Sequence, residues 1–198
     1  MELAADNLTC IRGGRNVFTG LSFSVQSGRA LIVTGRNGAG KSSLLRAIAG
    51  LLRLADGELS LTGTADDLTL PEQCHYVGHQ DACKPALTAA ENLSFWSGYL
   101  GGRGNAAKAL SAVGLGALAD LPAAFLSAGQ KRRLSLARLV AVKRPVWLLD
   151  EPNTALDTAA QKDLAGIVNA HLQSGGIVVA AAHGPLGFAR AKTLRLGK

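Results

Sequence analysis

The run Gly35-Arg36-Asn37-Gly38-Ala39-Gly40-Lys41-Ser42 fits the pattern G-x-x-x-x-G-K-S/T. It directly follows the apolar run Ala30 to Thr34 and opens a stretch, Ser42 to Ala49, with apolar residues at helical spacing. In a strand, loop, helix setting this spacing makes an anion cradle. Glycines let backbone N–H groups turn inward, and the helix N-terminus adds its positive end. Lys41 is then expected to reach the β and γ phosphates and Ser42 to hold Mg²⁺, with Arg36, Asn37, Gly38, Ala39, Gly40 and Ser43 completing the phosphate-binding set. A second run, Val146-Trp147-Leu148-Leu149, reads as a buried strand that delivers Asp150 and Glu151 at its C-terminal edge, where α/β sheets place ligands. Asp150 is suited to hold Mg²⁺ through its water shell, and Glu151 to polarise the water that attacks the γ-phosphate.

Leu126-Ser127-Ala128-Gly129-Gln130 adds a second anion-binding helix start, because Ser127-x-x-Gln130 is a capping box opening a basic helix with Lys131, Arg132, Arg133 and Arg138. One phosphate loop already covers the near side of a nucleotide, so a second helix start makes sense over a nucleotide held by another copy. On these residues the chain resembles the ATP-binding cassette (ABC) ATPases, whose signature is LSGGQ; Ala128 departs from it by one methyl.

The resemblance covers nearly the whole chain. It implies a Q-loop glutamine at Gln80 with catalytic and metal-binding roles, a D-loop at Thr154 to Asp157, a switch histidine at His183, and nucleotide contacts from Ser127, Gly129 and Gln130. It implies ATP and Mg²⁺ as ligands and a head-to-tail homodimer around two ATP. The implied fold is a P-loop NTPase of class α/β. A RecA-like, mainly parallel sheet core carries an antiparallel β subdomain and an inserted helical subdomain, with residues 1–83 and 146–198 as catalytic core and 84–145 as signature lobe. Many family members stack adenine on a tyrosine where this chain has Arg12, whose guanidinium either stacks on the base or points to solvent.

Within the family, Arg12 to Phe18, Gly20 to Phe23 and Asn153 to Asp157 look like the ATP-binding subunits of bacterial cytochrome c maturation. That resemblance implies a peripheral protein on the cytoplasmic face of the inner membrane with multi-span membrane subunits as partners. ATP hydrolysis would support haem delivery through release of a haem-loaded periplasmic chaperone. Alternatives are an exporter of another small substrate or lipid, or a soluble ABC ATPase. The stretch between Lys41 and Asp150 is too short for long coiled-coil arms, which weighs against the second. A P-loop kinase or GTPase is opposed by the Leu126 to Gln130 segment.

The elements that must position these residues are legible as alternating strands and helices. Leu21 to Val25 alternates as an antiparallel strand, Gly57 to Gly63 as a short hairpin strand, and Cys74 to His79 as a strand entering the Gln80 loop. Gly50 is expected to end the helix from Ser42. Thr88 to Glu91 is a capping box opening a helical lobe that runs to Val142 with breaks at Gly101-Gly102 and Pro122. Asp157 or Thr158 caps a helix to about Leu172, and Ile177 to Ala182 is a further buried strand. Strands alternating with helices predict a mainly parallel sheet with helices on both faces.

Composition bounds the rest. With 47% hydrophobic residues and three cysteines, the 198-residue chain is neither disordered nor a disulfide scaffold. It contains no apolar run of membrane-spanning length and no secretory leader, so a cytosolic protein is expected. Its net charge of +7 is unevenly placed: between Ser97 and Leu149 stand Arg103, Lys108, Lys131, Arg132, Arg133, Arg138, Lys143 and Arg144 against Asp120 alone, and after His183 the tail adds Arg190, Lys192, Arg195 and Lys198 with no acid. Such patches favour phosphates or anionic headgroups, or form a solvated face; no nucleic acid partner is expected. Cys74, His75, His79 and Cys83 lack metal-ligand spacing. Leu93, Phe95, Trp96 and Tyr99 either line a groove for a partner's short helix or fill the lobe's own core.

Overall fold

The apolar runs become neighbouring strands of one sheet. The computed structural model describes residues 1–64, 68–102 and 104–197; Arg103 and Lys198, counted in the basic runs, lie outside the described residues. In chain order the strands are β1 Glu2–Arg12, β2 Arg15–Gln26, β3 Ala30–Thr34, β4 Asp56–Thr62, β5 Cys74–Val77, β6 Val146–Asp150, β7 Ile177–Ala181 and β8 Ala191–Arg195. The α-helices are α1 Lys41–Ile48, α2 Ala89–Tyr99, α3 Ala106–Ala112, α4 Ala128–Ala141 and α5 Thr158–Gln173. By packing, the chain divides into two units: Met1–Gly78 with Pro145–Pro152 and Val168–Lys198, and His79–Arg144 with Asn153–Ile167.

In the first unit a parallel sheet runs in the order β5-β6-β7-β3-β8. β6 and β7 are buried at every position, which is why their sequences are continuous apolar runs with no alternation. Leu44, Leu45 and Ile48 of α1 share one apolar cluster with Leu31, Val33, Leu148 and Val179, so the helix that follows the glycine loop is anchored to the sheet. Its C-terminus closes with Gly50 N–H donating to Ala47 O and Leu51 N–H to Arg46 O; the C-cap is Ala49, and Gly50 follows it, one residue later than the sequence suggested.

A second sheet of the same unit is antiparallel, ordered β2-β1-β4. The strand read at Gly57 to Gly63 is β4, paired with β1. β1 itself escaped the sequence reading for a visible reason. Leu3 and Ala5 are buried, then Leu8 and Cys10, so the alternation slips by one residue at Asp6-Asn7. There the register shifts and Asn7 takes φ 50. A bulge of this kind moves every later side chain to the other parity. β8 is an edge strand with no buried position and leaves no apolar signature.

The second unit is helical. Both capping boxes form: Thr88 with Glu91 at the start of α2, and Ser127 with Gln130 at the start of α4. Asp157, rather than Thr158, caps α5, its carboxylate accepting from Ala160 N–H at 2.8 Å. Ala89, Leu93, Leu110, Leu115, Leu134 and Ala137 form the unit's core. Among the described residues no helix is long and apolar enough to cross a membrane.

Near the C-terminal end of α5, His171 stacks on Trp147 with ring centroids 3.8 Å apart, and its Nε2 is buried without a partner. Burial pushes the imidazole below its ordinary pKa, opposed in part by hydrogen bonds to the backbone at Pro145 and Ile177. The unfolded chain therefore binds this proton first as pH falls. The neutral histidine's contribution is complete above about pH 6.5 and is lost below it. His171→Phe, which keeps the ring stack, is expected to flatten the fall of the urea midpoint between neutral and mildly acidic pH; an unchanged slope would remove His171 as its source.

Candidate active site

The sheet order brings three loops together. Strands β6, β7 and β3 are consecutive and parallel, so the loops leaving their C-terminal ends start side by side. These loops carry Glu151, His183 and Lys41 respectively, with His183 from the middle strand. Its Nε2 lies 3.3 Å from Lys41 Nζ and 3.3 Å from Glu151 Oε1. An ammonium only donates and a carboxylate only accepts. The one ring nitrogen therefore serves Lys41 when it carries a lone pair and Glu151 when it carries hydrogen.

Lys41 is almost fully buried at 7% exposure, and its ammonium donates back to the loop's own carbonyls, Gly35 at 2.9 Å and Arg36 at 3.3 Å. Arg36, Asn37 and Gly38 are exposed along the loop, while Ser43 is buried. Gly40 precedes α1 at φ 98, and a Cβ there would lie 2.4 Å from Val17 Cγ1. The β1–β2 hairpin thus presses on the loop through Val17 and Phe18. Arg12 lies exposed on the same hairpin, across from Arg15 at its turn end.

Ser42 Oγ donates to Asp150 Oδ1 at 2.9 Å, joining the loop to β6. Asp150 is 1% exposed. Glu151 next to it has φ 50, a left-handed conformation that strains a residue with a Cβ, yet its N–H still donates to Ala181 O at 3.0 Å. The chain therefore turns at Glu151 while the sheet continues, and the two adjacent carboxylates take different surroundings: one in the interior, one beside His183. A hydroxyl and a carboxylate so placed are hard oxygen donors of the kind Mg²⁺ takes beside nucleotide phosphates, and the glycine loop at a helix start suits the phosphates themselves.

Gln80, Ser127, Gly129 and Gln130 belong to the second unit. Gln80 is exposed in the segment after β5. Its neighbours are anchored: Asp81 pairs with Arg132 of α4 at 3.3 Å, and Ala82 O accepts from Trp96 of α2 at 3.0 Å. Asn92, 1% exposed, holds Lys84 through N–H and carbonyl and also bonds Leu87 and Thr88 carbonyls. Ser127 and Ala128 are exposed. Gly129 is approached by the Ala155 carbonyl, which would sit 2.8 Å from an added Cβ. That contact leaves no room for a Cβ at 129, whereas Ala128 is exposed.

Sequence reasoning did not single out Asn92, Tyr76 or Arg46, and took Arg132 only as one of the basic residues of its helix. An asparagine inside an apolar helix stripe was the available signal for the first; the others depend on partners far away in the chain.

A parallel sheet with a glycine loop at the start of α1 and an acidic strand end beside it defines a nucleotide-binding domain of the P-loop class. The family model described as ABC transporter matches residues 18–154, and the chain belongs to that family. It is 60% identical over 198 residues to the cytochrome c biogenesis ATP-binding export protein CcmA of Nitrobacter winogradskyi, covering 100% of this chain and 98% of that one. Its identity to the protein of the same name in Bradyrhizobium diazoefficiens is 58%, with the same coverage. Among solved structures, a dimeric ATP-binding cassette in a post-hydrolysis state with ADP and Pi superposes with TM-score 0.83 at 23% identity, covering 98% of this chain and 94% of that one.

Gly40 offers a direct check on the loop. Gly40→Ala must either strain the left-handed backbone or displace Val17, costing about 3 kcal/mol, and is expected to abolish nucleotide binding. Urea unfolding with nucleotide titration measures both; parental stability with intact binding would mean that the hairpin does not press on the loop.

Proposed function

We propose that this chain is the ATP-hydrolysing subunit of a membrane complex in cytochrome c biogenesis, where hydrolysis supports haem delivery through release of a haem-loaded chaperone. The observation that carries the enzymatic part is the convergence of Lys41, Ser42, Asp150, Glu151 and His183 at the ends of three adjacent parallel strands. Its assignment to cytochrome c biogenesis rests on the full-length likeness to the CcmA proteins.

In this reading the loop from Arg36 to Ser43 wraps the phosphates, and Lys41 exchanges its loop carbonyls for phosphate oxygens. Arg12 lies against the base. Ser42 and Asp150 would hold Mg²⁺, which would supply positive charge beside the phosphates, and Gln80 takes the metal-binding role that the family resemblance implies for it. Glu151 orients and deprotonates the attacking water. His183, already within reach of Glu151, holds that carboxylate in place and adds a donor near the γ-phosphate. Ser127, Gly129 and Gln130 cover the nucleotide of a second copy, giving a head-to-tail homodimer. Residues 1–83 with 146–198 act as catalytic core and 84–145 as signature lobe.

The work leaves the chain through multi-span membrane subunits that dock on the lobe at the cytoplasmic face of the inner membrane. Phe95 is 42% and Tyr99 75% exposed, so they do not fill the lobe's core, which α2 enters with Ala89 and Leu93. Trp96 is half-buried and held by Ala82 O, with the Arg138 guanidinium 4.8 Å from its ring, while Lys84 lies 4.4 Å from the Phe95 ring. A partner helix with apolar and acidic side chains suits that face.

Glu151→Gln is expected to keep ATP binding, lower steady-state hydrolysis by about 10² to 10⁴ and accumulate an ATP-bound dimer; near-normal turnover would falsify the general-base assignment. For docking, Phe95→Ser combined with Tyr99→Ser should reduce co-purification with the membrane subunits while leaving nucleotide affinity at the parental value. Full recovery of the complex would place the docking face elsewhere.

A further inference from the structure

Asp150 is gripped on both carboxylate oxygens. Oδ1 accepts from Ser42 at 2.9 Å; Oδ2 accepts from the Tyr76 hydroxyl at 3.4 Å, and Tyr76 Oη in turn accepts from Arg46 Nε at 3.3 Å. Ser42 and Arg46 are four residues apart in α1 and so lie on one face of that helix. The helix that carries the phosphate-binding lysine therefore reaches the same carboxylate twice, once directly and once through a tyrosine.

Strand register alone would not bring Tyr76 to Asp150. Tyr76 pairs with Leu148, two positions short of Asp150 along β6. The ring instead leans along the strand across Gly78, where a Cβ would stand 3.0 Å from both Tyr76 Cε1 and its hydroxyl oxygen. Tyr76-x-Gly78 is thus a two-residue device: a long side chain to cover the distance and a bare backbone to let it pass. The Tyr76 hydroxyl hydrogen is donated to the carboxylate while its oxygen accepts from Arg46, so one hydroxyl serves both neighbours.

We propose that Tyr76 and Arg46 are positioning residues for Asp150, holding Oδ2 so that the Ser42–Asp150 pair keeps one geometry. The inference rests on the reading of that pair as the Mg²⁺-holding group. A carboxylate tied at one oxygen pivots about that bond; tied at both, it does not. The Arg46 guanidinium, donating to that hydroxyl, also sets a positive charge behind the buried carboxylate. Because both arms start on α1, the carboxylate follows any shift of that helix when phosphate enters the loop.

The test is equilibrium binding by the full chain of Mn²⁺ with a non-hydrolysable ATP analogue, with free Mn²⁺ followed by its electron paramagnetic resonance signal. Tyr76→Phe keeps the ring and removes the hydroxyl. It is expected to weaken Mn²⁺ binding by about tenfold, the usual effect of losing a partner behind a metal ligand, while analogue affinity in EDTA stays parental. Arg46→Met should act in the same direction by a smaller factor. Mn²⁺ affinity unchanged in both variants overturns the inference; so does an equal loss of metal-free analogue affinity, which would make Tyr76 a packing residue. Ser42→Ala and Asp150→Asn separate the two layers. If these leave Mn²⁺ binding intact, the metal-pair reading itself fails; if they weaken it and Tyr76→Phe does not, the positioning role alone is wrong.

Discussion

A carboxylate taken out of water must be held by donors, and the first unit is arranged around one such group. Asp150 ends a strand buried along its whole length and is itself 1% exposed. An unpaired charge there would cost several kcal/mol. Ser42 and Tyr76 supply donors from α1 and β5, so the glycine loop, the acidic strand and the strand leading to Gln80 are tied at a single side chain. Glu151 is free of that burial because the backbone turns sharply there, at a left-handed φ of 50. One covalent neighbour is thus fixed in the interior and the other set, partly exposed, beside His183.

The second unit solves a different problem: how to make a loop answer to two helices. The segment from Asp81 to Leu87 forms neither helix nor strand, and side chains fasten it. Arg132 reaches it from α4, and Trp96 and Asn92 reach it from α2. The Asn92 amide, buried to 1% exposure, bonds the backbone at Lys84, Leu87 and Thr88, so it acts as a clasp on the turn into α2. Asp81 is thereby tied to α4, the helix that begins after Ser127. The same helix begins with a closed capping box, which satisfies its first N–H groups while Ser127 and Ala128 stay exposed.

Ala128 shows what the signature tolerates. The position is exposed at the first turn of α4, so a methyl meets no neighbour in its own chain that would exclude it, whereas Gly129 faces the Ala155 carbonyl too closely for any side chain. Arg12, likewise, stands where a flat guanidinium can reach outward from the hairpin that presses on Gly40. Both departures fall on surfaces open to a ligand or another chain, and both leave the internal packing undisturbed.

The local chemistry was legible from sequence: the glycine loop, the acidic strand end, both capping boxes, and the buried strands β3, β6 and β7. Each follows from neighbours within a few residues or from an unbroken apolar run. β1 was hidden because a bulge at Asn7 reverses its alternation midway, and β8 because an edge strand with no buried face has no hydrophobic period. Only the tertiary structure decided the order β6-β7-β3 that sets His183 between Glu151 and Lys41, and only it brought Tyr76 and Arg46 to Asp150. Strand order and contacts between residues 30 to 142 positions apart depend on how whole faces pack, and residue spacing along the chain does not encode them.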